Sequence, residues 1–218
     1  MSTSSPGWVG CFDMDGVLLD TEDIKLASWS QAVADTLDPS LSDLEALSQY
    51  NHRTRGIPRI TKFEYVLQYL DAPQSELDSL LGCYERLLID RMAEPRPMRG
   101  AIEFVSAWPG RRWVVSSAPH ANIADLVARA GFPPFDRVCG YPLSKTAALS
   151  EAKRMGTTVH FGDAPADRDA ALTAGVAFVA IGSMAPAVGD LAHCISLGDL
   201  EEQILTFLDQ ATQPGIAR

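Results

Sequence analysis

At 218 residues, with 46% apolar and 21% charged side chains, the chain is long enough for one full α/β domain and a small second module. Its formal net charge of −10 argues against nucleic acid or an anionic membrane as the main partner. No apolar run reaches the ~20 residues of a membrane-spanning helix, and there is no internal repeat or low-complexity tract.

Residues 1–7 are Ser-rich, without a basic segment or an apolar stretch, and read as a short tail rather than a signal peptide. The apolar run Trp8–Phe12 predicts a strand. From 22 to 94 no convincing strand follows. Helices are predicted there at 23–37, 41–48, 59–70 and 75–92, and Leu77, Leu80, Leu81, Tyr84, Leu87 and Leu88 recur at helical spacing. The Pro-rich link Glu94-Pro95-Arg96-Pro97 closes this stretch. Beyond it, strands predicted at 112–116, 137–139, 157–161, 176–181 and, more weakly, 193–196 alternate with helices at 101–107, 120–130, 144–155, 164–174 and 200–211. The alternation predicts an α/β fold with a parallel sheet flanked by helices. The four cysteines (Cys11, Cys83, Cys139, Cys194) lie far apart and lack metal-ligand spacing, as expected of reduced thiols in a cytoplasmic protein.

The most telling stretch is Cys11-Phe12-Asp13-Met14-Asp15-Gly16-Val17-Leu18-Leu19-Asp20-Thr21-Glu22. Side chains at i and i+2 of a strand share a face, so Asp13 and Asp15 are expected on one side of the first strand's end. Two carboxylates so close are costly unless a cation sits between them or one carries a proton. Gly16 lets the chain turn sharply after the pair. This string resembles the first motif of the haloacid dehalogenase superfamily, Asp-x-Asp-Gly-x-x-x-Asp-Thr-Glu. The resemblance implies a Rossmann-like core, residues 1–21 and 95–218, with an all-helical cap, residues 22–94, inserted after the first strand. The two crossings between them would serve as hinges.

Three further stretches follow predicted strands, where open α/β sheets bind ligands. Val114-Val115-Ser116-Ser117 resembles the second motif, with Ser116 the better match and Ser117 the alternative; a hydroxyl there can donate to a phosphoryl oxygen. Lys145, one of only four lysines, stands at a helix start and is similar to the third motif, although family members often continue Lys-Pro-x-Pro-Asp and this chain continues Thr146-Ala147-Ala148. An ammonium there can neutralise a nucleophile and a phosphoryl oxygen together. Gly162-Asp163-Ala164-Pro165-Ala166-Asp167, with Ala174-Gly175 downstream, resembles the fourth motif. Four-residue spacing at a helix start puts Asp163 and Asp167 on one side, where both can reach a cation shared with Asp13, directly or through water. His160, inside the preceding strand, reads as a core histidine.

The resemblance implies Asp13 as nucleophile, Asp15 as general acid and base, and Ser116 and Lys145 as phosphoryl-oxygen partners. A Mg²⁺ would be held by Asp13, the backbone carbonyl of Asp15 and the Asp163 carboxylate, with Asp167 either a ligand itself or placed just behind the ligands. An acid two residues after the nucleophile favours phosphoryl transfer from oxygen. That leaves a phosphatase acting on a small phosphate ester, or a mutase resembling β-phosphoglucomutase; a non-catalytic scaffold is the third reading. Arg53, Arg55, Arg59 and Lys62 form a local basic run next to His52. Within it, Gly56-Ile57-Pro58-Arg59 resembles the cap's Gly-x-x-Arg element, so Gly56, Arg59 and Lys62 are expected to contact the substrate.

Overall fold

The computed structural model describes residues 7–54, 57–183, 190–194 and 196–200. Its sheet has six parallel strands in the order β3-β2-β1-β4-β5-β6: β1 (Trp8–Phe12), β2 (Arg111–Pro119), β3 (Arg137–Tyr141), β4 (Thr157–Gly162), β5 (Ala177–Ile181) and β6 (Asp190–Cys194). The order reverses direction around β1, which lies between β2 and β4. In a parallel sheet that is the switch point where the C-terminal strand ends splay and leave room for a ligand.

Period-two alternation sorts the side chains of the strands between two cores. Phe12, Val114, Val159, Phe161 and Val179 pack against α5 (Ala101–Ala107) and α6 (His120–Arg129). Phe12 stacks on Phe161 at 4.8 Å and meets Phe104 and Trp108 edge-on. On the opposite face Val9, Cys11, Trp113, Val115, Cys139 and Phe178 pack against α7 (Lys145–Lys153) and α8 (Pro165–Ala174). Ser144 caps α7 by accepting from Ala147 N, and Pro165 opens α8, where its missing N–H costs nothing.

The chain divides into two compact units, residues 1–20 with 95–218, and residues 21–94. The second unit holds α1 (Glu22–Leu37), α2 (Leu41–Arg53), α3 (Arg59–Tyr69) and α4 (Leu77–Arg91) around its own core. Trp29 and Phe63 stack there at 5.7 Å, and Leu80 and Tyr84 are buried against them. Leu77, Leu81, Leu87 and Leu88 are partly buried beside that core.

Several predicted elements shift at their ends: α2 runs on to Arg53 rather than stopping at 48, and β3 to Tyr141 rather than 139. The last strand spans Asp190–Cys194 rather than 193–196, because Ser196 is a cap: its N–H and Oγ both bond Asp199 Oδ2 at the next 3₁₀ turn. Asp190 instead pins the start of β6 through a two-pronged pair with Arg168 of α8, at 2.8 and 2.7 Å. Strand β2 runs past the predicted end to Pro119, with its register to β3 interrupted between Val115 and Pro119. The predicted helix at 200–211 lies outside the described residues, apart from Leu200. The cysteines are all free thiols, and burial pushes those of Cys11, Cys139 and Cys194 up. Among the described residues no helix is long and apolar enough to cross a membrane.

Candidate active site

Strand β1 ends at Phe12, so Asp13 and Asp15 lie in the turn beyond it rather than on a strand face. Asp13 N donates to Phe161 O at 2.9 Å, which extends the β1–β4 ladder by one bond and fixes the nucleophile candidate at the C-terminal end of a central strand. The turn then closes on itself: Leu18 N and Leu19 N bond Met14 O, and Gly16 N bonds Leu19 O. Met14, Val17, Leu18 and Leu19 are all buried, so the apolar half of the motif anchors the acidic half. Gly16 has φ +76°, and a Cβ there would overlap the Asp163 carboxylate. Its lack of a side chain serves both the turn and the close approach of Asp163.

Asp163 follows β4, Asp167 sits in the first turn of α8 and Lys145 opens α7. One carboxylate oxygen from each of Asp13, Asp163 and Asp167 lies within 4.8 Å of the others. The Lys145 ammonium stands 3.0 Å from Asp13 Oδ1 and 2.5 Å from Asp167 Oδ1. Asp13, Lys145 and Asp167 are buried, while Asp163 is partly exposed. Asp167 Oδ2 accepts from Ala164 N at 3.3 Å, and its Oδ1 also meets His160 Nε2 at 3.1 Å. A Cβ on Gly162 would overlap the Asp167 side chain, so that glycine too makes room for an acid.

The electrostatics are uneven. Burial pushes the Asp13 carboxyl well above the usual range, and the charges of Asp167, Asp163 and Asp15 add to this against the opposing pull of Lys145. Burial works the same way on Asp167, but the Lys145 charge and the contact with His160 outweigh it and bring that carboxyl down to about 2. Lys145 loses charge stability by burial and regains more from Asp13 and Asp167, so its pKa rises. Asp13 Oδ1 is buried and receives no well-aligned hydrogen bond, although the lysine stands beside it. A buried carboxyl oxygen without a good donor, facing further carboxylates, is suited to a hard divalent cation with oxygen ligands, whose charge would favour the ionised form. The Asp15 carboxylate is not one of the three clustered groups.

Ser116 is buried at the irregular end of β2, and its Oγ accepts from Ala118 N at 3.1 Å. Ser117, the next residue, is partly exposed. In the helical unit, Arg59 pairs with Glu85 at 3.3 Å and lies over the Tyr84 ring. Lys62 is buried there and donates to Asn51 Oδ1 at 2.9 Å. Each basic side chain thus has a partner within its own unit, which an incoming anion would have to displace or join. Gly56 and Arg55 lie outside the described residues.

Sequence reasoning missed the second role of His160. It is buried against Phe178, as a core histidine would be, but it also contacts Asp167. No local signal could have found it, because the link depends on which residue of β1 lies beside His160. Cys11 pairs in register with His160, and Asp13 lies two residues beyond Cys11, so His160, which shares its face of β4 with Thr158, lies along the row that ends at the acids.

The acidic cluster and the buried lysine thus sit at the switch point of the parallel sheet. The sequence pattern of the haloacid dehalogenase-like hydrolases matches residues 11–175, and the chain belongs to that family. No curated protein matches it. Several solved structures share its fold at low identity. A β-phosphoglucomutase from Clostridium difficile is 16% identical, with 95% of this chain and 97% of that one covered and a TM-score of 0.68. A protein from Clostridium acetobutylicum, described as a "predicted phosphatase", is 19% identical over 93% and 100% with a TM-score of 0.70. A hydrolase from Pseudomonas syringae is 16% identical over 92% and 99% with a TM-score of 0.73.

Proposed function

We propose that the protein is a Mg²⁺-dependent phosphatase that hydrolyses a small phosphate monoester through an aspartyl-phosphate. The observation that carries this reading is the Lys145 ammonium held between Asp13 and Asp167, beside Asp163. Asp13, Asp163 and the backbone carbonyl of Asp15 would hold the metal, with Asp167 tied to Lys145, His160 and Ala164 N as the buttress of the set. When bound, the metal offsets repulsion between an anionic phosphate and an anionic nucleophile.

In the first step an Asp13 oxygen attacks phosphorus, and the ester P–O bond breaks as the Asp13–phosphorus bond forms. Asp15 delivers a proton to the departing alkoxide. In the second step Asp15 takes a proton from water, which attacks the same phosphorus and restores the Asp13 carboxylate as inorganic phosphate leaves. Lys145 and Ser116 hold phosphoryl oxygens through both steps, with Ser117 beside them, and the Lys145 charge opposes the push of burial and the neighbouring carboxylates on Asp13. Arg59, Lys62 and Gly56 of the helical unit are assigned to recognising the rest of the substrate.

A phosphate-release screen over sugar, cyclitol, glycolate and nucleoside monophosphates with Mg²⁺ tests the reading. Release of inorganic phosphate from at least one ester supports it. Conversion of a sugar phosphate into its isomer without release would make the protein a mutase. No turnover of any ester would leave the scaffold reading.

A further inference from the structure

His160 has no part in the chemistry above, yet it is bonded on both sides. It is fully buried in β4, on the face covered by α7 and α8. Its Nδ1 stands 3.0 Å from the Cys11 carbonyl oxygen. A carbonyl only accepts, so Nδ1 is the donor in that bond. The ring is thereby oriented, and Nε2 falls 3.1 Å from Asp167 Oδ1. That oxygen lies 2.5 Å from Lys145 Nζ, which in turn lies 3.0 Å from Asp13 Oδ1. An unbroken line of contacts therefore leaves the backbone of β1 at Cys11 and returns to Asp13, two residues further on.

Packing alone does not require this. A neutral ring that only filled space beside Phe178 would pair one nitrogen with an acceptor and the other with a donor; here a carbonyl and a carboxylate, both acceptors, face the two nitrogens, so each contact is a bond when its nitrogen carries a proton. Lys145, by contrast, has a flexible four-carbon stem, and only its anionic partners decide where Nζ rests. Asp167 can aim it only if its own carboxylate is fixed. Ala164 N donates to Oδ2, and His160 Nε2 reaches Oδ1. Groups that orient a catalytic or metal-binding side chain in this way commonly control its performance by ten- to a hundredfold.

The geometry points to His160 as a positioning residue, one that ties Asp167 to the β1 backbone and so holds Lys145 against the nucleophile Asp13. The inference rests on the phosphoryl-transfer reading for the roles of Asp13 and Lys145.

Two amides separate the contacts. In His160→Gln the amide nitrogen falls near the place of Nε2 and keeps the Asp167 bond. In His160→Asn it falls near Nδ1 and keeps only the Cys11 bond. The measurements are kcat and KM with p-nitrophenyl phosphate, Mg²⁺ affinity by calorimetry, and thermal midpoint in chelator. His160→Asn should lose about ten- to a hundredfold in kcat and in Mg²⁺ affinity, with KM changed by less than about threefold. His160→Gln should stay within about fivefold of wild type in both. Equal behaviour of the two variants, or losses that simply follow their thermal midpoints, would overturn the inference. A check on the unmodified protein guards against a variant that fails to fold. With histidine-selective ¹⁵N labelling, one ring should show an exchange-protected Nδ1 proton; four freely exchanging rings would refute the anchored geometry. If wild type binds Mg²⁺ but turns over no ester, the affinities still decide the role of His160. If wild type neither binds Mg²⁺ nor turns over any ester, the phosphoryl-transfer reading fails and this inference falls with it.

Discussion

Lys145→Met removes the cation on which two buried carboxylates depend, and its cost can be worked from the contacts. Nζ lies 3.0 Å from Asp13 Oδ1 and 2.5 Å from Asp167 Oδ1. Methionine roughly keeps the length and shape of the stem and deletes the charge. Deleting one partner of a buried pair costs about 3–5 kcal/mol. His160 still faces Asp167, and Asp13 can escape by taking a proton, so the lower part of that range, about 3–4 kcal/mol, applies here. In a chain of 218 residues, ~1 kcal/mol moves the midpoint by ~2–4 °C, so the drop at pH 7 should be about 6–16 °C. Circular dichroism melting in chelator reads it. The pH dependence gives a second check. The Asp167 carboxyl, ordinarily at 3.8, is held at about 2 in the fold. A depressed carboxyl stabilises the fold above its unfolded pKa, and that contribution disappears as pH falls through the folded value. Wild type and Lys145→Met should therefore converge between about pH 4 and pH 2. A midpoint within ~2 °C of wild type at pH 7, or a gap that persists undiminished near pH 2, would refute the ion-pair argument.

Chelation with EDTA should silence the enzyme and added Mg²⁺ restore it, since Asp13 and Asp163 offer only oxygen donors; full turnover after exhaustive chelation would remove the metal from the account. Gly16→Ala should strain the turn at φ +76° and push Asp163 aside. Calorimetry should then show Mg²⁺ binding weakened about tenfold or more, with ~1 kcal/mol lost in stability, and unchanged affinity would contradict the close approach. Arg59→Ala should cost the native substrate about 1.5–3 kcal/mol in kcat/KM, a factor of roughly ten to a hundred, while a small aryl phosphate loses far less. Equal losses on both substrates would make Arg59 a partner of Glu85 and Tyr84 only.

The parallel sheet was legible because each buried strand is a short apolar run bounded by helical periodicity, from Trp8–Phe12 to Ala177–Ile181. Asp13, Lys145, Asp163 and Asp167 stood out because each follows such a run, and folding brings their side chains together. What stayed hidden depends on register and on long-range pairing. Nothing local in the sequence places His160 opposite Cys11, so its bond to Asp167 could not be read. Ser196 looked like the end of a strand because the sequence does not reveal that Asp199 turns back to cap it. Glu85 and Arg59 are far apart in sequence, so their pairing became visible only once α3 and α4 were packed.

The central claim is that Asp13 becomes covalently phosphorylated. The direct test is to mix enzyme, Mg²⁺ and a turned-over ester, quench in acid within one turnover, reduce with borohydride, and map the peptides by mass spectrometry. Borohydride converts an aspartyl-phosphate to homoserine and leaves a free carboxylate alone. The account predicts homoserine at position 13 only, dependent on both ester and Mg²⁺. It also predicts no homoserine and no turnover in Asp13→Asn, which keeps the side chain's shape but lacks the attacking carboxylate. Homoserine at another carboxylate, or continued turnover by Asp13→Asn, would contradict it.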